Sequence, residues 1–435
     1  MSLKKQILKT ISVVTALSLS LGAQELYTVD QLIVKSLENS PDMKISSLEY
    51  KASQKRYDAA FSGYLPVGNL HGEAGLVHQS QTFGTNKDID DSLVKGQLSL
   101  KQIIYDFGKT GGGSDEQLHT SKAYEMQNFQ KISDKKRDVK YAYYDVLKAI
   151  ALIDVQKENV KLNQAQYYRS QKYFEAGIRT KIDVSDAKVR LIQAELDLKN
   201  AEYQLKLAYA LLDSVVGFTA LEQEYEVYAK ELDLKNIYDS LSDYALDLKG
   251  SILYAYEHRY EIKREEALIQ VASSTQRRVS SEYYPELYLG ANYIYQKADA
   301  DLQTLIPETQ WNANVNLDWN LYQGGGSSAR KQESIINRNI SNERLLNIKL
   351  LIKRTTTNAY INVNRTKDTV KLAENLLNVS NEKFDQASKR YEHGLSDYIE
   401  LQEARQGYIN AKSTLVIDYY DYYIAVAQLD NAIGK

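Results

Sequence analysis

Two short acidic segments contain the side chains best placed to do chemistry. In each segment two carboxylates lie three residues apart on a predicted helix, and the four are Asp183, Asp186, Glu400 and Glu403. A carboxylate in the first turn of a helix can cap free backbone N–H groups and is favoured by the helix dipole. Capping-box spacing accounts for Asp183 and Glu400, and it accounts less well for the second residue of each pair. Carboxylates that symmetry repeats around a pore would instead attract cations.

Other segments that resemble catalytic motifs lack the context those motifs require. Asp106-Phe107-Gly108 matches a kinase triplet, but no catalytic loop or glycine-rich loop accompanies it. Gly108-Lys109-Thr110 lacks the upstream glycine of a phosphate-binding loop. The five histidines are scattered, and with three methionines and no cysteine they do not support a soft-metal site. We therefore expect no enzyme activity, no cofactor and no metal.

The composition narrows the class of protein further. The 54 basic and 57 acidic residues give a net charge of −3, so the charge balance provides no basic surface for nucleic acid. The absence of cysteine excludes disulfides, thiolate zinc sites and a cysteine nucleophile. Only four prolines occur in 435 residues, whereas tyrosine occurs 35 times. Few helix breakers and many charged side chains together predict long helices.

The N-terminus has the features of a signal peptide. Two lysines near the start precede an apolar run that ends in Leu21-Gly22-Ala23, a small-residue cleavage site. We expect residues 1–23 to be removed on export. A retained N-terminal membrane anchor is the alternative, which the shortness of the run disfavours. No later stretch approaches the roughly 18 consecutive apolar residues of a transmembrane helix. The chain is therefore predicted to be exported into the bacterial envelope.

An internal repeat organises the rest of the chain. Residues 38–217 and 257–434 align as diverged copies, in which Pro66 meets Pro285. A repeat fixes the architecture, because each copy must contain the same elements. The predicted divisions are a first repeat, a charged and tyrosine-rich linking segment and a second repeat, at 24–217, 218–249 and 250–435.

Long helices are predicted in both copies. Between Ser114 and Gly177 there is no proline and no internal glycine. Apolar residues in this stretch follow alternating steps of three and four, with Lys157 in the one missing place, at Val139, Tyr143, Val146, Ile150, Ile153 and Val160. That spacing is typical of a coiled-coil seam, and a helix of about 60 residues would be about 90 Å long. We expect the glycine runs at 111–113 and 324–326 to be flexible bends between strands and helices.

The segments that follow the two matched prolines change to a period of two residues. Within residues 310–322 the odd positions are apolar and the even positions are polar, over a length that can span a membrane. Trp311 and Trp319 lie on the apolar face, about 20 Å apart across a membrane if the strand is tilted by about 40°. Together with Val315 and Leu317, these tryptophans are predicted to face lipid.

Two β-hairpins of this kind are predicted, at 67–106 and 286–323. A soluble sandwich packed on its apolar face is the alternative, which the signal peptide and the paired tryptophans disfavour. Four strands cannot close a membrane barrel, because the smallest such barrels have about eight. A barrel therefore requires several copies of the chain.

The sequence resembles the TolC family of outer-membrane efflux channels over nearly the whole chain that follows the signal peptide. The resemblance rests on the ends of the predicted strands, on Gly177 and Gly394, and on the ends of the two copies. These segments are Tyr64-Leu65-Pro66, Tyr284-Pro285, Ile104-Tyr105-Asp106-Phe107-Gly108, Leu321-Tyr322-Gln323-Gly324-Gly325, Val216-Gly217 and Ile433-Gly434. The resemblance implies a mixed α and transmembrane β fold that assembles as a homotrimer. Four strands per chain would form a 12-stranded β-barrel in the outer membrane, and long coiled-coil helices would continue it as a periplasmic α-barrel.

The resemblance also gives the acidic residues a role. Glu400 and Glu403 match acidic residues of the family that line the periplasmic mouth of the tunnel. Asp183 and Asp186 occupy the equivalent place in the first copy. If the resemblance holds, these side chains form acidic rings at the pore mouth in addition to any capping that they provide.

Two further roles follow from the resemblance and concern the ends of the long helices. Gly177 and Gly394 would form helix-hairpin tips on which a periplasmic adaptor protein docks. In the family, a link between a tyrosine and an aspartate helps to hold this end closed, and the matching residues here are Tyr391 and Asp183. Ser396 stands where the family often has a closing arginine, so the match at the gate is incomplete.

The implied function is a passive exit duct. An inner-membrane pump of the RND or ABC type would deliver small molecules or drugs through the adaptor, and the duct would carry them across the outer membrane. The expected partners are two further copies of the chain, the adaptor, the pump and outer-membrane lipid, without nucleic acid. The alternative within transport is the outer-membrane component of a type I protein secretion system. A structural coiled-coil scaffold in the periplasm is the rival from another class, and the alternating strands disfavour it.

Overall fold

The computed structural model describes residues 25–80, 88–219, 225–229, 232–234, 236–303 and 306–435. The predicted signal peptide at 1–23 lies outside the described residues. The first copy contains β1 (Glu25–Tyr27), α1 (Val29–Asn39), α2 (Pro41–Phe61), β2 (Val67–Gln79), β3 (Ile89–Tyr105), α3 (Lys109–Glu175) and α4 (Lys181–Val216). The second copy contains β4 (Tyr225–Val227), α5 (Leu248–His258), α6 (Tyr260–Ser280), β5 (Glu286–Ala298), α7 (Ala300–Gln303), β6 (Thr309–Asp318), α8 (Gly326–Glu392) and α9 (Tyr398–Ile433).

The two copies match element by element. Their corresponding helices have equal lengths, which are 11, 21, 67 and 36 residues in both copies. The predicted internal repeat and the long helices are therefore confirmed, while the exact division points of the repeats stay predictions. β1 and β4 form a separate parallel pair that joins the starts of the two copies.

The four long strands form one antiparallel sheet in the order β2, β3, β5, β6. Each predicted hairpin pairs internally, and β3 pairs with β5 to join the two hairpins. The outer strands of this sheet are β2 and β6, so in one chain both edges lack a neighbouring strand. Unpaired edges present backbone N–H and C=O groups that a further strand can satisfy.

The long helices continue from the sheet as a single layer. Close to the sheet the order of contacts is α2, α3, α6, α8, and further away it is α4, α3, α9, α8. The contact between α3 and α9 therefore joins the helix hairpin of the first copy to that of the second. None of the described helices is long and apolar enough to cross a membrane.

The core lies along the seams between the long helices, in the half of these helices against which α1 and α5 pack. One cluster contains Val139, Val146, Leu212 and Val216, and a second contains the buried residues Val370, Leu415, Leu429 and Ile433. Burying each such side chain contributes about 1.5–3 kcal/mol to stability. The predicted seam of α3 is confirmed at Val139, Tyr143, Val146 and Ile153, which are buried, whereas Ile150 and Val160 are only half-buried.

The glycine runs do not behave as two equivalent bends. Gly111 to Gly113 lie inside α3, so the prediction of a flexible bend is wrong there. A Cβ at Gly112 would lie 2.8 Å from the backbone nitrogen of Arg278, which shows that glycine permits the close approach of α3 and α6. In the second copy Gly324 and Gly325 do form a turn, with φ of +58° and +83°, and α8 begins at the next residue.

The second predicted hairpin is shorter than its alternating pattern. β6 ends at Asp318, which pairs with Glu286 at the start of β5. The preceding residue of β5 is Pro285, whose missing N–H cannot extend the ladder. Trp319 therefore lies one residue beyond the strand, and its indole N–H donates to the carbonyl oxygen of Tyr283 at 3.2 Å.

Candidate functional site

The turns between α3 and α4 and between α8 and α9 have the same backbone geometry. Gly177 and Gly394 both have a φ of +70°, in the left-handed region that favours glycine. In each turn the residue after the glycine donates its N–H to a carbonyl five residues earlier at 2.8 Å, which satisfies the end of the helix. Apart from chain neighbours, no atom lies within 4 Å of a Cβ built on either glycine. Backbone conformation, rather than lack of space, therefore selects glycine at both tips.

Exposed apolar side chains surround these two glycines. Ile178 and Ile182 in the first copy correspond to Leu395 and Ile399 in the second, and their exposed fractions range from 65% to 71%. These four residues belong to no motif recognised in the sequence. The repeat indicates them, because an apolar residue recurs at the same two positions of both exposed tips.

The two acidic pairs divide into capping and non-capping residues. The Asp183 carboxylate accepts hydrogen bonds from the backbone N–H and the hydroxyl of Thr180, both at 2.9 Å, so it completes a capping box. The Glu400 carboxylate accepts from the Ser396 hydroxyl at 2.7 Å and lies 3.5 Å from Arg390. Asp397, rather than Glu400, caps the start of α9.

Asp186 and Glu403 are exposed on the second turns of α4 and α9. In the part of the chain that the structure describes, neither carboxylate makes a side-chain hydrogen bond or an ion pair. Helix capping therefore explains the position of Asp183. Within one chain, no described hydrogen bond or ion pair explains the positions of Asp186 and Glu403. The expectation from spacing is therefore confirmed for Asp183 and wrong for Glu400, whose carboxylate bonds to Ser396 instead of completing a capping box.

Tyr391 is 4% exposed and sits at the end of α8 between the two helix hairpins. Its hydroxyl accepts a hydrogen bond from the Gln166 side-chain amide at 3.4 Å, and the Arg179 guanidinium lies 5.5 Å from its ring centre. Within one chain, the described hydrogen bonds do not include one between Tyr391 and Asp183. The gate link between these two residues stays a prediction, and Gln166 is a partner that the sequence analysis missed.

The seam between α3 and α9 changes character along its length. Near the core, Tyr144 stacks on Tyr423 with ring centres 5.3 Å apart, and Val416 is buried. Toward the tips the buried residues of α3 are all polar, and they are Asn159, Asn163, Gln166 and Ser170. Their spacing of four, three and four residues continues the seam, but a search for apolar residues does not detect it.

Side-chain bonds join the two hairpins along this polar stretch. The Tyr408 hydroxyl donates to Glu158 at 2.9 Å, and Lys412 forms an ion pair with the same carboxylate. Burial, followed by this hydrogen bond to Glu158, raises the pKa of the Tyr408 phenol. Nearer the tip, Arg169 pairs with Glu392 at 3.2 Å. Hydrogen bonds and charges therefore make much of this contact, and a small apolar cluster of Ala387, Tyr391, Leu401 and Ala404, with Tyr173 of α3 packed against it, closes it at the tip.

The sheet separates apolar from polar side chains. The register places Leu70, Leu98, Tyr293 and Trp311 in one cross-strand row on the apolar face. All four are exposed in the single chain, Trp311 at 76%.

The rest of the apolar face follows the same register. Val315 pairs with Leu289 and Leu317 pairs with Leu287 on this face, and both β6 residues are exposed. On the other face the amide of Asn292 donates to Asn312 at 3.1 Å.

A β-bulge interrupts the alternation of faces at the end of β3. The register shifts between Ile103 and Tyr105, so that Tyr105 pairs with Leu287. Tyr105 therefore takes a place on the apolar face that strict alternation would give to Ile104. Bulges of this kind commonly occur where a strand must re-aim a side chain.

Two long helices at the ends of the layer carry exposed apolar stripes. On α4 the stripe consists of Val189, Ile192, Leu196, Tyr203 and Leu207, and on α8 it consists of Ile361, Leu372, Leu376 and Val379. Spacings of three, four, seven and eleven residues, which are sums of three- and four-residue steps, place each set on one face of its helix. Apolar stripes of this length usually mark surfaces that another protein covers.

The described residues include no group of three or more histidine, aspartate or glutamate side chains that could hold a metal ion. The features that the structure does bring together are glycine turns, exposed acids, apolar stripes and a two-faced sheet.

Comparison with known proteins identifies relatives over nearly the whole chain. The toluene efflux pump outer membrane protein TtgC of Pseudomonas putida is 20% identical over 419 residues, covering 93% of this chain and 82% of the relative. The outer membrane protein TolC of Escherichia coli is 20% identical over 442 residues, covering 98% and 86%. The crystal structure of the Campylobacter jejuni CmeC outer membrane channel superimposes with a TM-score of 0.81 at 15% identity, covering 93% of this chain and 85% of that one.

The structural likeness shows that the fold is shared, and the names of these proteins describe efflux proteins and channels rather than enzymes. The sequence profile described as outer membrane efflux protein matches residues 32–218 and 254–435, which are the two copies of the repeat. The chain therefore belongs to the outer membrane efflux protein family and is located in the bacterial outer membrane.

Proposed function

We propose that three copies of this chain form a passive exit duct for small molecules, as the outer-membrane part of a tripartite efflux pump. The observation that carries the proposal is a four-stranded sheet with one exposed apolar face, one polar face and two unpaired edges. Such a sheet is stable in a membrane only when its edges are closed by further strands. In this proposal the apolar face meets lipid, and the polar face lines a water-filled path.

The direction of the strands supports closure by identical copies. Neighbouring strands are antiparallel throughout, so β2 and β6 run in opposite directions. The β6 edge of one copy can therefore pair antiparallel with the β2 edge of the next in a head-to-tail ring. Three copies would give about 12 strands, within the size range of membrane barrels.

The helices support the same arrangement. α4 and α8 lie at the two ends of the layer, and each carries an exposed apolar stripe on its surface. In a head-to-tail ring α4 of one copy would pack against α8 of the next and cover both stripes. The helical part would then form a tunnel in the periplasm, continuous with the path through the sheet.

The helix-hairpin tips are proposed as the docking surface for a periplasmic adaptor. Two glycine turns and four exposed apolar side chains, Ile178, Ile182, Leu395 and Ile399, lie at the end furthest from the sheet. Apolar contact of this kind suits helix-to-helix recognition. An inner-membrane pump of the RND or ABC type would act through this adaptor, because the chain shows no site for chemical energy of its own among the described residues.

The acidic residues are proposed to line the inner mouth. Threefold repetition would turn the unpaired carboxylates of Glu403 and Asp186 into rings, joined by Glu400 and Asp183, which also make local hydrogen bonds. Rings of carboxylates at a constriction favour cations. The proposed gate link between Tyr391 and Asp183 would form in the assembled trimer and hold the mouth closed at rest.

The likeness to TtgC, a protein of a toluene efflux pump, favours small-molecule efflux over type I protein secretion. A deletion strain tests this choice. Loss of the gene is expected to increase susceptibility to several antibiotics or bile salts, and the wild-type gene should restore resistance. A strain that keeps its resistance but no longer secretes a protein would support secretion instead. Recovery of the chain in the soluble fraction without detergent would support the periplasmic scaffold.

A further inference from the structure

The seam between α3 and α9 contains a charged side chain at a core position. On α9, Ile409, Val416 and Tyr420 are buried against α3 and belong to the larger apolar core cluster. One helical step closer to the tip, the same stripe continues with Arg405, which is 4% exposed. Spacing of four residues keeps Arg405 on the face that carries Ile409. An apolar residue at this place would have extended the core toward the tip.

Arg405 has few polar partners that could offset the free-energy cost of burying its charge. One terminal nitrogen donates to the side-chain oxygen of Asn163 at 3.0 Å, and the Nε atom has no hydrogen-bond partner. The described ion pairs do not include Arg405, and the acids that join the two hairpins pair with other bases, Glu392 with Arg169 and Glu158 with Lys412. Burial lowers the pKa of the Arg405 guanidinium and the charge of Arg169 acts in the same direction, while Tyr398 and Tyr391 act in the opposite direction. A guanidinium has five N–H groups, so a single neutral amide satisfies it poorly.

The burial of Arg405 favours separation of α3 from α9, whereas a bond that held the tip closed would oppose it. Removing an ionised group from water costs more than one hydrogen bond to an amide returns, unless a charged partner is supplied. Separation of α3 from α9 near the tip would return Arg405 to water and remove this cost. The apolar part of the seam, from Ile409 toward the core, would not be stabilised by separation. The two helices would therefore stay packed together there.

We propose that Arg405 is a positioning residue that weakens the tip half of the α3–α9 seam and so biases the closed duct toward opening. The inference rests on the proposed function, because it assigns opening of the tip to the passage of molecules. It predicts that removal of the charge makes the tip harder to open, whereas removal of a gate link makes it easier to open. The two kinds of residue are therefore separable by the sign of their effect.

Single-channel recording of purified trimers in planar bilayers tests the sign. Arg405→Met removes the charge at similar volume, and we expect the fraction of time in open states to fall by about tenfold or more. Arg405→Lys keeps a charge and should resemble the wild type. Ile409→Leu lies on the same stripe, leaves the charge unchanged and controls for altered packing. Unchanged or increased opening in Arg405→Met would overturn the proposal.

Hydrogen exchange provides a readout that does not depend on conduction. Backbone amides of residues 159–170 should exchange about tenfold more slowly in Arg405→Met than in the wild type, because local opening becomes rarer. If Arg405→Met does not assemble, Arg405→Gln should show the same direction. Faster exchange would assign Arg405 to holding the seam together. A wild-type protein that carries no current would contradict the proposed function, and the exchange data would still decide the role of Arg405.

Discussion

Arginine substitutions on the two faces of β6 should have unequal effects on assembly. Val315 lies four residues from both Trp311 and Trp319. At about 3.4 Å per residue and a tilt of about 40°, each tryptophan is about 10 Å away from Val315 along the membrane normal. Val315 is therefore expected at the midplane, on the apolar face. Its neighbour Asn314 points to the opposite face, where its amide donates to Asn312 at 3.4 Å.

The position of Val315 sets the magnitude of the effect. Arginine on the lipid face at the midplane costs about 2–4 kcal/mol, and a trimer would bear that cost three times. Arginine at position 314 would enter the water-filled path and should cost much less. The assay is urea-dependent folding of the purified chain into lipid vesicles, with trimer yield in the outer membrane as a second readout. Greater loss of folding in Asn314→Arg than in Val315→Arg would show that the two faces are assigned the wrong way round.

Three further predictions concern the tips. Gly394→Leu should cost about 1–3 kcal/mol of local backbone strain and abolish resistance while trimers persist in the outer membrane. Immunoblotting and antibiotic susceptibility measure these outcomes, and loss of trimers would show that this glycine is needed only for folding. Glu400→Ala combined with Glu403→Ala should lower cation preference, and an unchanged reversal potential in a salt gradient would place both carboxylates away from the pore. Tyr391→Phe combined with Asp183→Ala should raise conductance and antibiotic entry at equal trimer yield, and wild-type conductance would remove this pair from the gate.

Much of the fold could be predicted because its signals are periodic. Alternation with a period of two located the long strands, and matched glycines in the two copies located the turns with positive φ. The end of β6 could not be predicted from alternation alone, since it depends on Pro285 in the neighbouring strand. Nor could the role of Gly112, because it depends on the close approach of Arg278 from another helix.

The site was less accessible to sequence reasoning. Capping by Asp183 follows from local spacing and is observed. The pairing of Tyr391 with Gln166 joins residues 225 positions apart, and no local pattern indicates it. The polar seam was missed because buried asparagine and serine carry no hydrophobic signal, although their spacing matches that of the apolar seam. Arg405 shows the same limit, since a charged residue normally indicates an exposed face.

A disulfide test at the proposed contact between copies examines the trimeric duct most directly. The chain contains no cysteine, so introduced thiols have no competitors. Ile192 on α4 and Val379 on α8 each lie 15 residues from the glycine of their own tip, which places them at the same level of the two helices. A chain with cysteine at both positions should form covalent trimers when outer membranes are oxidised, and each single-cysteine chain should remain uncrosslinked. Monomers alone from the double variant, at normal membrane yield, would contradict closure of three copies through α4 and α8.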